Sequence, residues 1–437
     1  MVVGGGPSGL IAAINAAGNG VEVLLLEKTA SLGNKLLLSG KTRCNITNAE
    51  PLENFLLAYG DNGKWLRNAF ARFFRDDLID FFAQNGVICK QERGGRIFPA
   101  SDAARDVLFA LQKELKATGV EVVTDCAVKK IITKGGVATG VVTSRGEFPA
   151  SAVILATGGA SYPQTGSSGD GFKMARAVGH TIVTPMPALV PLVVQEVELA
   201  KAMQGVSLKN VRLFAFACKS EAIVTDWLLA ATNTKKYPQG NYLIGSEFGE
   251  LLFTHFGLGG PIVLSLSLAI NKALSATPAV SVAIDLKPAL SLKQLEARIQ
   301  RDCDAYGKRT TAGILAGLLP SKMVAPFVSL LDIPADKRAC DINAVMRGRM
   351  ATALKSLRFN ITRSLPLSRA IVTAGGVSLA EVNPQTMESL TVKRLFFCGE
   401  VIDIAGDTGG YNLQAAFSTG FQAGKSANHL ICRVQER

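Results

Sequence analysis

Histidine, tryptophan and paired cysteines are scarce in this chain. Its 437 residues include three histidines, two tryptophans and eight cysteines (44, 89, 126, 218, 303, 340, 398 and 432), with no Cys-x-x-Cys pair. Structural zinc and a disulfide framework are therefore not expected, and no metal is assigned. The longest apolar run, around Pro261 to Ile270, is too short to span a bilayer, and no charged segment followed by an apolar stretch precedes the first glycines. A soluble cytoplasmic protein with reduced thiols and no membrane partner is the expectation. Oligomeric state leaves no signal.

What is present is an apolar, basic chain. Hydrophobic residues make up 48%, enough for a large core and for two or three domains. The formal charge is +12, and residues 191–370 supply +9 of it with 22 Lys and Arg against 13 Asp and Glu. Ile342 to Arg369 holds six basic residues (Arg347, Arg349, Lys355, Arg358, Arg363, Arg369) and no acidic one. Such a stretch suits a polyanion such as RNA, or is simply a solvated basic face.

Strand and helix signals alternate at the start: a valine pair, an Ala-rich helical run to Ala17, then a strand over Val21 to Leu26. Helical patterns follow over Trp65 to Asn85 and Ala103 to Thr118, then strands over Val120 to Lys134, Gly136 to Phe148 and Val153 to Ala156. After Pro185, Pro187 and Pro191 the signals become strands, at Leu189 to Val194, Val211 to Ala217, Gly249 to Phe253 and Val280 to Leu286, broken by a polar segment near Thr232 to Gly240. Leu292 to Leu357 reads as helices divided at Pro320, Pro326 and Pro334. Strands return at Ala370 to Thr373 and Leu395 to Cys398, before a closing helix over Asn412 to Cys432. The boundaries implied are a discontinuous first domain at 1–188 and 370–437, a β-rich insert at 189–290 and 357–369, and a helical subdomain at 291–356.

Gly4-x-Gly6-x-x-Gly9 follows the valine strand and opens a helix with Pro7 and Ser8, while Glu27 and Lys28 close the second strand. The glycines let backbone approach a pyrophosphate, the helix N-terminus favours its charge, and Glu27 can accept from ribose hydroxyls. Only three residues precede Gly4, so the first strand is short and an upstream start is an alternative. The fingerprint does not separate FAD from NAD. Gly399, Glu400 and Asp403, followed by Gly409, Gly410, Tyr411, Asn412 and Leu413, favour FAD: a strand delivers acids to the ribityl chain. A glycine turn then starts a helix whose positive end suits the flavin N1–C2=O edge. Ala156, Thr157, Gly158 and Gly159 form an apolar strand ending at a ligand-binding turn, and Ala127 and Val128 complete the cofactor set.

The chain resembles the bacterial NAD(P)/FAD-dependent oxidoreductases that include aminoacetone oxidase-like and 3-dehydro-bile acid reductase-like flavoproteins. The resemblance rests on Ser39 to Asn48, ATGGASYPQTGSSGDG from Ala156, LFTHFGLGGP from Leu252, TAGGV from Thr373, TMES from Thr386 and GEVIDIAGDTGGYNLQ from Gly399. It departs at Lys41-Thr42, where the family is richer in glycine, and at Leu258-Gly259, where Ser-Gly is usual. It implies an α/β fold, a glutathione-reductase-like FAD-binding Rossmann domain with an inserted β-barrel-like domain carrying a helical subdomain. It also implies that Gly33, Lys35, Ser39, Gly40, Arg43, Cys44 and Asn45 line the isoalloxazine and pyrophosphate.

A flavin reductase needs an acid to protonate its product. Cys44, His255 and Tyr411 are the candidates; an inward Arg43 would lower the Cys44 thiol. Three readings compete. The first is hydride delivery from FAD N5 to a conjugated C=C, either a uracil in ribosomal RNA, giving dihydrouridine, or a bile-acid-like enone. The second is an amine oxidase of the aminoacetone type, and the third a flavin-containing RNA-binding factor. No second Gly-x-Gly-x-x-Gly unit is present, which leaves NAD(P)H as a transient electron donor or another reductant in its place.

Overall fold

The computed structural model describes residues 1–223 and 242–435, so the polar segment Thr232 to Gly240 lies outside the described residues. The chain forms two compact units, Met1–Ala188 with Leu367–Arg437, and Leu189–Pro366.

The first unit is built on five parallel strands in the order Leu395–Phe397, Val153–Leu155, Val2–Val3, Leu24–Leu26 and Glu121–Val123. The four strands from Leu395–Phe397 to Leu24–Leu26 are continuous apolar runs, as a parallel sheet covered on both faces requires. Helix Pro7–Ala16 connects the strands Val2–Val3 and Leu24–Leu26, and helix Tyr411–Gln435 follows the edge strand Leu395–Phe397. These helices meet nearly backbone to backbone: a Cβ on Gly420 or Gly424 would lie 2.4 Å from Ser8 O or 2.3 Å from Ala12 O. The two ends of the chain are thereby packed together. Smaller antiparallel sheets flank this core, among them Thr47–Asn48 with Arg96–Pro99 and Cys89–Gln91, and Ile182–Ala188 with Val372–Val377.

The second unit is a closed six-stranded antiparallel barrel: Leu192–Val194, Gly257–Gly259, Leu243–Phe253, Ser207–Phe216, Val280–Asp285 and Leu357–Ser364. The apolar run read only for its length is in fact helix Pro261–Ala276, started by Pro261 after Gly260. Helices Leu292–Ala305, Thr311–Leu315, Ser321–Leu331 and Ala344–Lys355 share one apolar core with the barrel. Pro326 does not divide a helix as expected; it lies inside Ser321–Leu331.

The basic stretch is not one face. Lys355 is fully buried, its Nζ donating to Asp285 Oδ2 at 2.6 Å and to Leu290 O at 2.8 Å. Arg358 is half-buried and donates to Ser220 O, and Arg347 donates to Ile342 O. Arg349, Arg363 and Arg369 remain exposed. Helix and strand periodicity turned consecutive cations to opposite sides.

Candidate active site

The N-terminal glycines separate into two kinds. Gly4 has φ +109°, and a Cβ there would lie 2.5 Å from Ala156 O; a Cβ on Gly9 would lie 1.9 Å from Gly4 O. Both are demanded by the protein's own packing. Gly6 differs, with an extended backbone at φ −81° and nothing within 4 Å of a Cβ. The space beside Gly6 is open, as the close approach of a pyrophosphate would require. Helix Pro7–Ala16 behind it has neither a side-chain cap nor an acid in its first turn, so its leading N–H groups are left without a side-chain partner, as a helix that binds an anion would have them. Glu27 braces the loop, accepting from Gly5 N at 2.7 Å and from Thr29 N and Oγ1 at 2.8 Å each. Gly33 N donates to Gly5 O at 2.9 Å.

A second cluster gathers residues from four segments. Lys35 Nζ donates to Glu400 Oε2 and to Ser161 Oγ, both at 2.6 Å, and Glu400 Oε1 accepts from Thr373 N at 2.7 Å. Thr373 Oγ1 accepts from Ala160 N at 2.9 Å, and a Cβ on Gly159 would strike that hydroxyl at 2.4 Å. Asp403 Oδ1 accepts from Gly375 N. Gly399, at φ +73°, packs on Ser8, joining the two glycine motifs. Gly158 is also left-handed, and the buried hydroxyls of Thr157 and Ser167 have no partner among the described residues. Ser161 and Thr373 were missed as site residues because their partners are far away in sequence; their presence in the quoted family motifs was the only signal.

The third element is the turn before the C-terminal helix. A Cβ on Gly410 would lie 2.3 Å from Thr47 O, so strand Thr47–Asn48 lies directly against the turn. Asn45 Oδ1 and Thr47 Oγ1 are buried without partners among the described residues. The Tyr411 ring packs edge-on to Phe55 at 4.6 Å, and its hydroxyl makes no hydrogen bond among the described residues. Burial, then Glu50 and Asp407, push Tyr411 up to about 12, so it keeps its proton through the neutral range.

Several candidates are engaged inside the protein. Arg43 does not lower the Cys44 thiol: its guanidinium turns away, pairing with Glu92 and Asp102 over the Phe98 ring. Cys44 is fully buried at φ +62°, and burial pushes its thiol up to about 12 despite Ser39. Neighbouring Gly40, Lys41 and Thr42 are left-handed too, which accounts for the family's glycines there. Ser39 Oγ caps Leu36 O. Lys28 pairs with Asp170 at 2.7 Å. Both backbone groups of Ala127 bond Ser144, and Val128 pairs with Thr143 in a strand. The Asn412 side chain closes the loop from Gly406, and Leu413 packs into the core. His255 is exposed in the second unit, at the hairpin tip between Phe253 and Gly257, against Phe256. Among the described residues no group of three or more metal ligands occurs and no helix is long and apolar enough to cross a membrane.

A parallel sheet, a glycine cradle open at Gly6, orphaned hydroxyls beside it and a second glycine turn define an FAD-dependent oxidoreductase. The chain belongs to the family described as HI0933-like protein Rossmann domain, whose profile matches residues 1–426. It is 32% identical over 98% of both chains to a Clostridium scindens protein named 3-dehydro-bile acid delta(4,6)-reductase. It is 28% identical over 96% of both chains to a Haemophilus influenzae protein named ribosomal RNA dihydrouridine synthase. Among solved structures, 3-ketosteroid delta1-dehydrogenase from Sterolibacterium denitrificans is similar at TM-score 0.49 and 14% identity, over 98% of this chain and 99% of that one.

Proposed function

We propose that this flavoenzyme reduces a C=C bond conjugated to a carbonyl in a small enone substrate, with Tyr411 as proton donor. The observation that carries the reading is the protonated, unbonded Tyr411 hydroxyl beside the Gly409–Gly410 turn, where Cys44 is sealed off. FAD, when bound, supplies hydride from N5. Gly4, Gly6, Gly9 and the helix behind them would hold the pyrophosphate of such a cofactor, Lys35 and Glu400 would meet its ribityl end, and the N–H side of the Gly409–Gly410 turn would face its ring. The substrate would gain hydride at its β-carbon and the Tyr411 proton at its α-carbon, so that the C=C becomes a single bond and the carbonyl is kept. NAD(P)H serves as a transient donor. The bile-acid reductase relative, alike over almost the whole chain, supports the enone.

Uracil in ribosomal RNA is the second reading, since its C5=C6 bond accepts hydride by the same chemistry and one relative carries that name. The burial of Lys355 weakens the basic-face argument for it. Photoreduced enzyme, mixed anaerobically with a 3-oxo-4,6-diene steroid acid, should recover its oxidised flavin spectrum and yield the reduced steroid. Tyr411→Phe should slow that step without loss of FAD. Reoxidation only by RNA fragments would move the assignment to uracil; reoxidation only by oxygen, with turnover of aminoacetone, would replace both with the oxidase.

A further inference from the structure

The turn that opens the C-terminal helix has most of its carbonyls committed. Asn412 Nδ2 donates to Gly406 O at 2.8 Å and to Asp407 O at 3.1 Å. Asn48 Nδ2 donates to Gly409 O at 2.9 Å, Gln414 N to Gly410 O at 3.1 Å, and Tyr59 OH to Tyr411 O at 2.7 Å. The carbonyls of Gly406, Asp407, Gly409, Gly410 and Tyr411 are thus occupied, while among the described residues no side-chain oxygen accepts from the N–H groups of Gly409, Gly410, Tyr411, Asn412 or Leu413.

Two of the clamps reach in from outside the helix, and both are buried. Asn48 is 2% exposed and is itself fixed, its Oδ1 accepting from Glu50 N. Tyr59 is 5% exposed, and its ring lies where a Cβ on Gly406 would come within 2.7 Å. The clamps are needed because Gly409 and Gly410, at φ +132° and +103°, are glycines by necessity. No Cβ fits over Thr47 O, yet a glycine peptide turns over at little cost. A turned peptide would present a carbonyl oxygen where an N–H stood, and the local dipole would reverse.

We propose that Asn48 and Tyr59 are positioning residues that set the reduction potential of the flavin, by keeping the N–H side of this turn directed at the cofactor. The inference rests on the flavin lying at this turn, and does not depend on the substrate. Negative charge collects on the ring upon reduction, so a fixed array of N–H donors favours the reduced form over the oxidised one.

The test is the midpoint potential of bound FAD, measured by equilibration with a reference dye, together with the dissociation constants of oxidised and reduced FAD. Asn48→Ala should reduce the preference for reduced FAD about tenfold, a fall of about 30 mV for a two-electron couple. Tyr59→Phe, which deletes one oxygen and keeps the buried ring, should move the potential in the same direction. The Tyr59→Phe measurement decides the matter even where Asn48→Ala does not fold. An unchanged potential, with only a lower thermal midpoint or less bound FAD, would overturn the proposal. No substrate enters these measurements, so a failure of the enone reading is read separately.

Discussion

Lys35 Nζ and Glu400 Oε2 lie 2.6 Å apart although 365 residues separate them in the chain. Both side chains are about one-quarter or less exposed, and Ser161 and Thr373 complete their bonding. A partly solvated pair of this kind contributes only about 0–1 kcal/mol to stability. Under the proposed function its value lies in what it would present to the cofactor. Lys35→Met should leave the thermal midpoint nearly unchanged and weaken FAD binding at least about tenfold, or about 1.4 kcal/mol, in a fluorescence titration. Equal losses of stability and affinity would assign the pair to the fold instead.

Gly6→Ala separates what the protein needs from what the ligand needs. The Cβ enters open space on an ordinary backbone, so stability should change by less than about 1 kcal/mol. FAD affinity should nonetheless fall by about tenfold or more, because the methyl takes the place of the pyrophosphate. Gly4→Ala, with its Cβ 2.5 Å from Ala156 O, should instead damage folding. Thermal denaturation of the two apoproteins distinguishes them.

Within the barrel unit, Lys355 and Asp285 form an ion pair with side chains only 1% exposed. Burial pulls the lysine down and pushes the aspartate up, and their mutual contact opposes both shifts. Lys355→Met would strand the carboxylate, costing about 3–5 kcal/mol in urea denaturation. Adding Asp285→Leu should recover most of that loss. Recovery of none would mean that the ammonium's bonds to Leu290 O and Lys287 O are what matter.

His180 couples stability to pH. Its buried ring lies between Glu381 Oε2 at 3.1 Å and the hydroxyls of Ser389 and Thr391, both at 3.0 Å, against the Phe397 ring. Burial holds the imidazole below its ordinary value of 6.5, although Glu381 opposes this. The unfolded chain therefore binds the extra proton first, and stability must fall as pH drops through about 6.5. Thermal midpoints from about pH 7 to pH 5 should decline, and His180→Gln should flatten the decline. Glu381, held low by its bonds to Thr181 and His180 in spite of burial, loses its contribution only at more acidic pH.

The parts of the site that were legible in the sequence depend on local spacing. Gly4, Gly6, Gly9 and Glu27 belong to one βαβ unit, and Gly409 and Gly410 to one helix start, so chain geometry alone fixes their chemistry. Adjacency misled at Arg43 and Cys44, because between left-handed Thr42 and left-handed Cys44 neighbouring side chains part, one to Glu92 and Asp102, the other into the core. Periodicity likewise sends Lys355 inward and leaves Arg349 in solvent.

By itself the sequence determined the alternation of strand and helix, the backbone freedom at its glycines, and hence a dinucleotide cradle. Only the tertiary structure decided which side chains brace it. Asn48, Tyr59 and Ser161 bond groups far along the chain, as Thr373 does at Ala160, and a hydrogen bond across such a distance leaves no local pattern to read.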